Sequence, residues 1–232
     1  IEVRKKNNGS FDFLEELNID FNHNSNDVQN FFPKTNLCFL FAREHHPAVA
    51  VVSNARKALS GRSIFNLIGP LCNPSSSPYQ VLGTTDIDLA QKLAQSLQKL
   101  GTKKSLVVTA LDGLDELSTN ECSQVLEVTQ AGISHSIFDP SDLGIMANDF
   151  SLEGFTAKES AQLFKDVFEN GKTDHPIAEL VCLNAAAAIY CYGKTNSISD
   201  AYMLAQSSVR SGHAWQQYLN YKQCTKLNTQ HS

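Results

Sequence analysis

The feature that most constrains the fold is a nearly unbroken apolar run at residues 106–110, which reads Leu-Val-Val-Thr-Ala. A strand that is apolar on both faces must be covered on both faces, as the central strands of an α/β layer are. A short strand is predicted at residues 80–83, and a helix is predicted between the two at residues 89–100. Strands that alternate with helices in this way favour an α/β layer with some parallel pairing.

The rest of the pattern adds strands and helices to this centre. Further strands are predicted at residues 124–128 and 134–138, and helices at residues 10–17, 46–59, 158–168, 177–190 and 200–209. Ser25 or Asn26 is expected to cap another helix that runs through Phe31. The predicted fold class is α/β, with a mixed, partly parallel sheet flanked by helices. The sequence has no internal repeat and no linker, so one domain is expected over residues 1–232.

The composition argues against several classes of function. The chain has 232 residues, of which 42% are hydrophobic and 19% are charged, and its net charge is −5. This balance is unlike that of a nucleic-acid-binding protein, and no apolar run has the length of a membrane span. The six cysteines form no Cys-x-x-Cys pair, and most lie in apolar runs. They are expected to be small buried residues of a reducing compartment, which predicts a cytoplasmic protein.

An acidic segment directly follows the predicted buried strand. Residues 112–116 read Asp-Gly-Leu-Asp-Glu. Ligands of α/β sheets bind beyond the carboxyl ends of the strands, and neighbouring carboxylates suit Mg²⁺, particularly when the ion carries a phosphate. Asp115 and Glu116 are therefore candidate Mg²⁺ ligands, with a solvated acidic turn as the alternative.

Three other segments carry side chains of interest. Arg56 lies near the end of the predicted helix at 46–59, where its guanidinium could grip a carboxylate or simply face solvent. Gly9 and Ser10 could offer a backbone N–H and a hydroxyl to a phosphate, or could form a plain helix cap. The Glu-His-His-Pro sequence at 44–47 lacks the histidine spacing of a zinc helix, so no zinc site is predicted there.

A series of short motifs is more specific in combination than any one motif alone. The motifs are His-Pro-Ala at 46–48, Ala-Arg-Lys-Ala-Leu at 55–59, Arg-Ser-Ile-Phe-Asn-Leu-Ile-Gly-Pro-Leu at 62–71, Asn-Pro at 73–74, Gln-Val-Leu-Gly at 80–83, Asp-Gly-Leu-Asp-Glu-Leu-Ser at 112–118, Leu-Asn-Ala-Ala-Ala at 183–187 and Ser-Gly-His-Ala at 211–214. In order and spacing, the chain from about residue 9 onward closely resembles the anthranilate phosphoribosyltransferases.

The resemblance implies a fold and a reaction. The fold would be a catalytic domain of the nucleoside phosphorylase/phosphoribosyltransferase type, described as a glycosyltransferase family 3 α/β domain, over residues 1–232. The reaction would be the Mg²⁺-dependent transfer of a phosphoribosyl group from phosphoribosyl pyrophosphate to anthranilate in tryptophan biosynthesis. The implied partners are small molecules, with neither nucleic acid nor membrane among them.

The resemblance also implies roles for individual residues. In the family, the residue that matches Arg56 contacts the anthranilate carboxylate, and those that match His46 and Gly69 lie near the anthranilate path. The Gly9-Ser10 pair matches a contact with phosphoribosyl pyrophosphate. The acidic pair that matches Asp115 and Glu116 binds Mg²⁺.

The sequence departs from the family at its beginning. It has no counterpart of the family's N-terminal helical domain or Gly-Thr-Gly-Gly-Asp loop, and Lys5 and Lys6 stand where a serine pair is expected. The family homodimer forms through the helical domain, so the sequence leaves both a monomer and a dimer open. A relative that binds a ligand or partner without turnover is the alternative function, and a pyrimidine nucleoside phosphorylase is a third. The retained Arg56 and the acidic pair favour the transferase.

Overall fold

The structure is a computed structural model that describes residues 10–41, 45, 69–151 and 154–228. The chain divides into two compact units. The first comprises Ile1–Ala58, Ser151–Lys172 and Val209–Ser232, and the second comprises Leu59–Phe150 and Thr173–Ser208. The expected single family domain over residues 1–232 stays a prediction.

The described elements follow the order anticipated from the alternating pattern. In chain order they are α1 (Ser10–Glu16), α2 (Ser25–Thr35), β1 (Tyr79–Gly83), α3 (Ile87–Lys99), β2 (Lys104–Ala110), β3 (Ser123–Thr129), β4 (Gly132–Phe138), a 3-10 helix (Pro140–Leu143), α4 (Ala157–Phe168), α5 (Pro176–Tyr192), α6 (Ile198–Arg210) and α7 (His213–Asn228).

The second unit contains a mixed sheet in the strand order β1-β2-β3-β4. β1 runs parallel to β2, with Gly83 opposite Val108. The pairs β2–β3 and β3–β4 are antiparallel. The only parallel pair of these four described strands is therefore joined by the α3 crossover, because parallel neighbours need a long connection.

Helices cover the centre of the sheet on both faces. On one face, Leu93 and Ala94 of α3 pack in a buried cluster with Val107, Leu126 and Val128. Helix α5 packs against β1 and β2. It lies on the opposite face, since its Tyr190 donates a hydrogen bond to the Glu127 carboxylate (2.6 Å), and Glu127 alternates with Leu126 and Val128 along β3. This double cover explains why β2 is buried from its second residue onward. Each large apolar side chain so buried contributes about 1.5–3 kcal/mol.

The described part of the first unit has an aromatic core. Buried Leu17, Phe31 and Tyr221 lie at its centre. The rings of Phe31 and Tyr221 meet edge to face with centroids 5.7 Å apart. Trp215 of α7 packs against Phe164 and Tyr218, with centroids 5.8 Å and 4.8 Å away. Edge-to-face and tilted arrangements of this kind add stabilisation beyond the buried area.

The structure corrects one helix prediction and adds one helix that the sequence pattern does not indicate. The cap of α2 is Asn24, whose side chain accepts hydrogen bonds from the backbone N–H groups of Asn26 and Asp27. The Asp27 carboxylate accepts from the Asn24 N–H in return, and this reciprocal capping box displaces the start from the expected Ser25 or Asn26. Helix α7 was not predicted, because its inward face carries Trp215 and Tyr221, whose polar groups weaken the apolar signal.

The cysteines follow the expectation only in part. All six are free. Cys182 and Cys191 are buried as expected, but Cys72 is exposed. Cys72 lies in the turn that ends a short helical stretch, where its side chain is open to solvent. Among the described residues, no helix has both the length and the apolar character needed to cross a membrane.

The phenol of Tyr221 predicts how the fold responds to alkaline pH. Tyr221 is fully buried, and this burial raises its pKa from 10.0 to about 12. A raised pKa stabilises the fold below the ordinary tyrosine pKa, and this stabilisation is lost as the pH rises towards about 12. We therefore expect the wild type to lose on the order of 1 kcal/mol more than Tyr221→Phe by about pH 11, roughly one pH unit above the ordinary tyrosine pKa. Urea unfolding at about pH 8 and about pH 11 measures the difference.

Tyr192→Phe is the matched control, since the Tyr192 side chain is 64% exposed. It should lose the same amount of stability as the wild type between the two pH values. An equal alkaline loss for the wild type and Tyr221→Phe would contradict the prediction.

Candidate functional site

The acidic segment lies where the parallel strands end. Because β1 and β2 run in the same direction, Gly83 and Ala110 lie at one edge of the sheet. The backbone N–H of Thr84 donates to the Val108 carbonyl (3.0 Å), which keeps the strands together beyond the last residue of β1. The segment at 112–116 follows at this edge, as the sequence predicted.

Gly83 allows the acidic segment to approach the sheet. A Cβ atom placed on Gly83 would collide with the backbone carbonyl of Asp115. Only glycine therefore fits at the end of β1 while Asp115 keeps this position.

Asp112 differs from the other acidic residues of the segment, because its carboxylate holds the turn together. One oxygen accepts a hydrogen bond from the Leu114 N–H (3.1 Å) and the other from the Ser118 hydroxyl (2.6 Å). The Gly113 N–H donates to the Ala110 carbonyl (3.1 Å), and Gly113 has a φ of 90°, which suits glycine. Asp112 is thus occupied within the turn, whereas the carboxylates of Asp115 and Glu116 accept no hydrogen bond from the described residues.

Asp115 and Glu116 place two negative charges side by side. Both residues are exposed. Two effects raise the pKa of Glu116 above its usual range. The larger is partial burial of its carboxyl group, and the smaller is the negative charge of Asp115. No described lysine or arginine forms an ion pair with either carboxylate. Within the described part of the chain, the pair is therefore a concentration of negative charge without a basic partner, which a cation would relieve.

The chemistry of this pair fits Mg²⁺ bound together with a substrate. Among the described residues, no group of three or more histidine, cysteine, aspartate and glutamate side chains could hold a metal ion. A closed protein cage is not what Mg²⁺ requires, since it commonly takes one or two carboxylates and completes its octahedron with water and substrate phosphates. Asp115 and Glu116 can supply that minimum.

Of the five other predicted site residues, the structure describes two. Gly9, His46 and Arg56 lie outside the described residues. Gly69 is exposed, and a Cβ on it would contact nothing within 4 Å. Ser10 is the exposed first residue of α1 and belongs to the first unit.

Gly69 is placed beside the sheet by its neighbour in the chain. The Gln80 side-chain amide donates to the Pro70 carbonyl (2.6 Å), which ties the segment that follows Gly69 to β1. The structure thus brings both Gly69 and Asp115 to β1, near its first and last residues respectively. Their roles in substrate binding stay predictions.

Sequence reasoning assigned no role to two residues that shape this loop, Gly83 and Asn184. Both lie within motifs that carried the family resemblance. A glycine that ends a strand beside a predicted ligand loop is a usable signal for close backbone approach. Asn184 contacts the loop from a helix 67 residues away in the sequence. No local pattern reveals such a contact.

Comparisons with known proteins agree with this architecture. The sequence matches the glycosyl transferase family, a/b domain, over residues 5–215. The chain belongs to this family. It is 36% identical over 225 residues to the anthranilate phosphoribosyltransferase of Halalkalibacterium halodurans, and the alignment covers 97% of the chain and 66% of that protein.

Solved structures of relatives share the family fold. The structure is similar to that of the anthranilate phosphoribosyltransferase from Thermus thermophilus, with a TM-score of 0.84 and 32% identity over 94% of this chain and 64% of that one. The Saccharomyces cerevisiae enzyme in complex with phosphoribosyl pyrophosphate and magnesium gives a TM-score of 0.82 and 26% identity, covering 94% of this chain and 63% of that one. The likenesses confirm the predicted fold class and the predicted resemblance. The chain spans about two thirds of the length of these relatives.

The close approach at Gly83 predicts a position that is sensitive to one methyl group. We expect Gly83→Ala to destabilise the protein by on the order of 1–3 kcal/mol, because the new Cβ must displace the backbone of Asp115. Gly69→Ala is the matched control, since a Cβ there meets open space, and it should change stability by less than about 0.5 kcal/mol. Chemical denaturation of both variants measures the difference, and equal stabilities would contradict the close approach.

The raised pKa of Glu116 means that its ionised form destabilises the fold. A folded-state pKa above the ordinary value favours the protonated form, so the fold loses stability as the pH rises through that raised pKa. We expect Glu116→Gln to raise the midpoint of thermal unfolding at neutral pH, and the gain to vanish near the ordinary carboxyl pKa.

Glu159→Gln provides a control of opposite sign. Hydrogen bonds from the Thr156 backbone and hydroxyl lower the pKa of Glu159, so its ionised form stabilises the start of α4. This variant should lower the midpoint at neutral pH and converge on the wild type as the pH falls. A change of the same sign in both variants would refute the electrostatic account.

Proposed function

We propose that this chain carries anthranilate phosphoribosyltransferase activity. It would transfer the phosphoribosyl group of phosphoribosyl pyrophosphate to the amino group of anthranilate and release pyrophosphate. One observation carries the proposal: a pair of neighbouring carboxylates lies at the carboxyl end of parallel strands in a chain that is 36% identical to an anthranilate phosphoribosyltransferase. Small molecules are the expected partners.

Asp115 and Glu116 are proposed to hold Mg²⁺. The yeast relative was solved with phosphoribosyl pyrophosphate and magnesium, which supports Mg²⁺ as the ion. Bound Mg²⁺ supplies positive charge that neutralises a leaving pyrophosphate. The carboxylates contribute their fixed position, since the turn around Asp112 and the contact at Gly83 hold the backbone that carries them.

Arg56, His46 and Gly69 are proposed to receive anthranilate. A guanidinium binds a carboxylate through two parallel hydrogen bonds, which would orient the aromatic ring and aim its amine. Gly69 carries no side chain and meets open space, so it leaves room for a flat ligand. Gly9 and Ser10 are proposed to contact phosphoribosyl pyrophosphate through a backbone N–H and a hydroxyl.

The proposed reaction is a substitution at the anomeric carbon of ribose. A bond forms between the anthranilate nitrogen and that carbon, the bond from the carbon to the pyrophosphate oxygen breaks, and the nitrogen loses a proton. Positive charge develops on the ribose ring at the transition state. Much of the rate would come from the orientation of the two substrates, because holding reactants in line removes a large entropic part of the barrier.

The proposal predicts turnover that depends on Asp115. Loss of anthranilate fluorescence should follow when the purified chain meets phosphoribosyl pyrophosphate and Mg²⁺. Asp115→Ala should reduce the rate at least about 100-fold, since even indirect partners of a metal ligand cost 10–100-fold. Glu121→Ala removes an exposed carboxylate close by in the sequence and should leave the rate unchanged.

Turnover and binding measurements together distinguish the transferase from the alternative, a relative that binds a ligand without turnover. Calorimetry with anthranilate tests the other half of the site, where Arg56→Ala should weaken binding. A folded chain that binds anthranilate and phosphoribosyl pyrophosphate without turnover would be a non-catalytic relative. Binding that is unaffected by both Arg56→Ala and Asp115→Ala would remove the site assignment altogether.

A further inference from the structure

Asn184 of α5 makes an unusually complete contact with the end of the acidic segment. Its side-chain oxygen accepts a hydrogen bond from the Leu117 N–H (2.9 Å), and its side-chain nitrogen donates to the Leu117 carbonyl (3.0 Å). The same nitrogen donates to the Leu180 carbonyl one helical turn earlier (3.1 Å). The carboxamide thus satisfies both backbone groups of one loop residue while it is itself anchored to the helix.

This contact needs a side chain with a donor and an acceptor in one plane. A carboxamide offers both, whereas a carboxylate lacks the donor and an aliphatic side chain lacks both. Asparagine is short, so the helix must lie close to the loop. Ala186 and Ala187, which follow Asn184, are both fully buried, and their small size suits a helix that packs closely on the sheet. The Leu-Asn-Ala-Ala-Ala motif at 183–187 therefore combines close packing with a polar anchor.

The anchored residue directly follows the proposed Mg²⁺ ligands. Leu117 is next to Glu116 in the chain, and the Leu117 side chain is itself fully buried. On the other side of the pair, the backbone of Asp115 lies against Gly83. Asp115 and Glu116 are thus held between two fixed points, one at the sheet and one at α5.

We infer that Asn184 is a positioning residue for the metal-binding pair, acting through the backbone of Leu117. The inference rests on the proposed function, because it takes Asp115 and Glu116 to be the Mg²⁺ ligands. Asn184 does not touch the ion, since its oxygen and nitrogen are already engaged with Leu117 and Leu180. Two neighbouring carboxylates repel each other, so they separate when the backbone is released. A fixed backbone keeps both within reach of one cation.

The test uses Mn²⁺ as a paramagnetic substitute for Mg²⁺, with free Mn²⁺ measured by electron paramagnetic resonance. We expect Asn184→Ala to weaken Mn²⁺ binding by about tenfold or more, as the loss of groups that orient metal ligands does elsewhere. Hydrogen exchange at the Leu117 amide should become faster in the same variant. Tyr190→Phe is the matched control, because it removes another hydrogen bond from α5 to the sheet, to Glu127, and leaves the loop untouched. It should leave Mn²⁺ affinity within about twofold of the wild type.

Asn184→Asp separates positioning from electrostatics and keeps the test valid if Asn184→Ala fails to fold. The aspartate has the same shape but cannot donate to Leu117, and it brings a further negative charge towards the site. Charge alone predicts tighter Mn²⁺ binding, whereas loss of positioning predicts weaker binding. We expect weaker binding.

The possible outcomes distinguish this inference from the proposed function. Unchanged Mn²⁺ affinity in both Asn184 variants, together with its loss in Asp115→Asn, would overturn the positioning role and leave the metal pair in place. Affinity that is unchanged in Asp115→Asn, or a wild type that binds no Mn²⁺ even with phosphoribosyl pyrophosphate present, would overturn both. Weaker binding in the Asn184 and Asp115 variants, with Tyr190→Phe unaffected, supports both.

Discussion

The candidate site depends on the parallel pairing of β1 and β2. Parallel pairing brings two carboxyl ends to one edge, and the pairing is possible because α3 and α5 cover the apolar strands on both faces. The segment after β2 passes the end of β1, where the backbone of Asp115 lies against Gly83. Gly83 decides how closely it can pass. The position of Asp115 and Glu116 is thus a consequence of strand direction and of a single missing side chain.

Within this edge, identical chemical groups take different roles because of their surroundings. Asp112 accepts hydrogen bonds from Leu114 and Ser118 and so closes the turn. Asp115 and Glu116 have no such partners among the described residues, and their mutual repulsion is left in place. Glu116→Gln would remove this repulsion, yet the chain keeps both carboxylates. Such a local loss of stability is expected at a binding site.

How far the sequence predicts this structure depends on the range of the interaction concerned. The burial of β2 follows from its own composition, and the edge at which the acidic segment lies follows from strand order. The cap of α2 was misplaced because Asn24 and Asp27 cap reciprocally. The anchor at Leu117 joins residues 67 positions apart, and the aromatic inner face of α7 depends on partners in α2 and α4. Such contacts exist only after the chain has folded, so periodicity cannot report them.

The aromatic core of the first unit has a practical consequence for observing this protein. Trp215 is the sole tryptophan of the chain, and it packs between Phe164 and Tyr218 of the first unit. Its fluorescence therefore senses the packing around α4 and α7, whereas far-ultraviolet circular dichroism sums the helices and strands of both units. Coincident denaturation curves from the two signals would mean that the units unfold as one cooperative body, and separate curves would mean that each has its own transition.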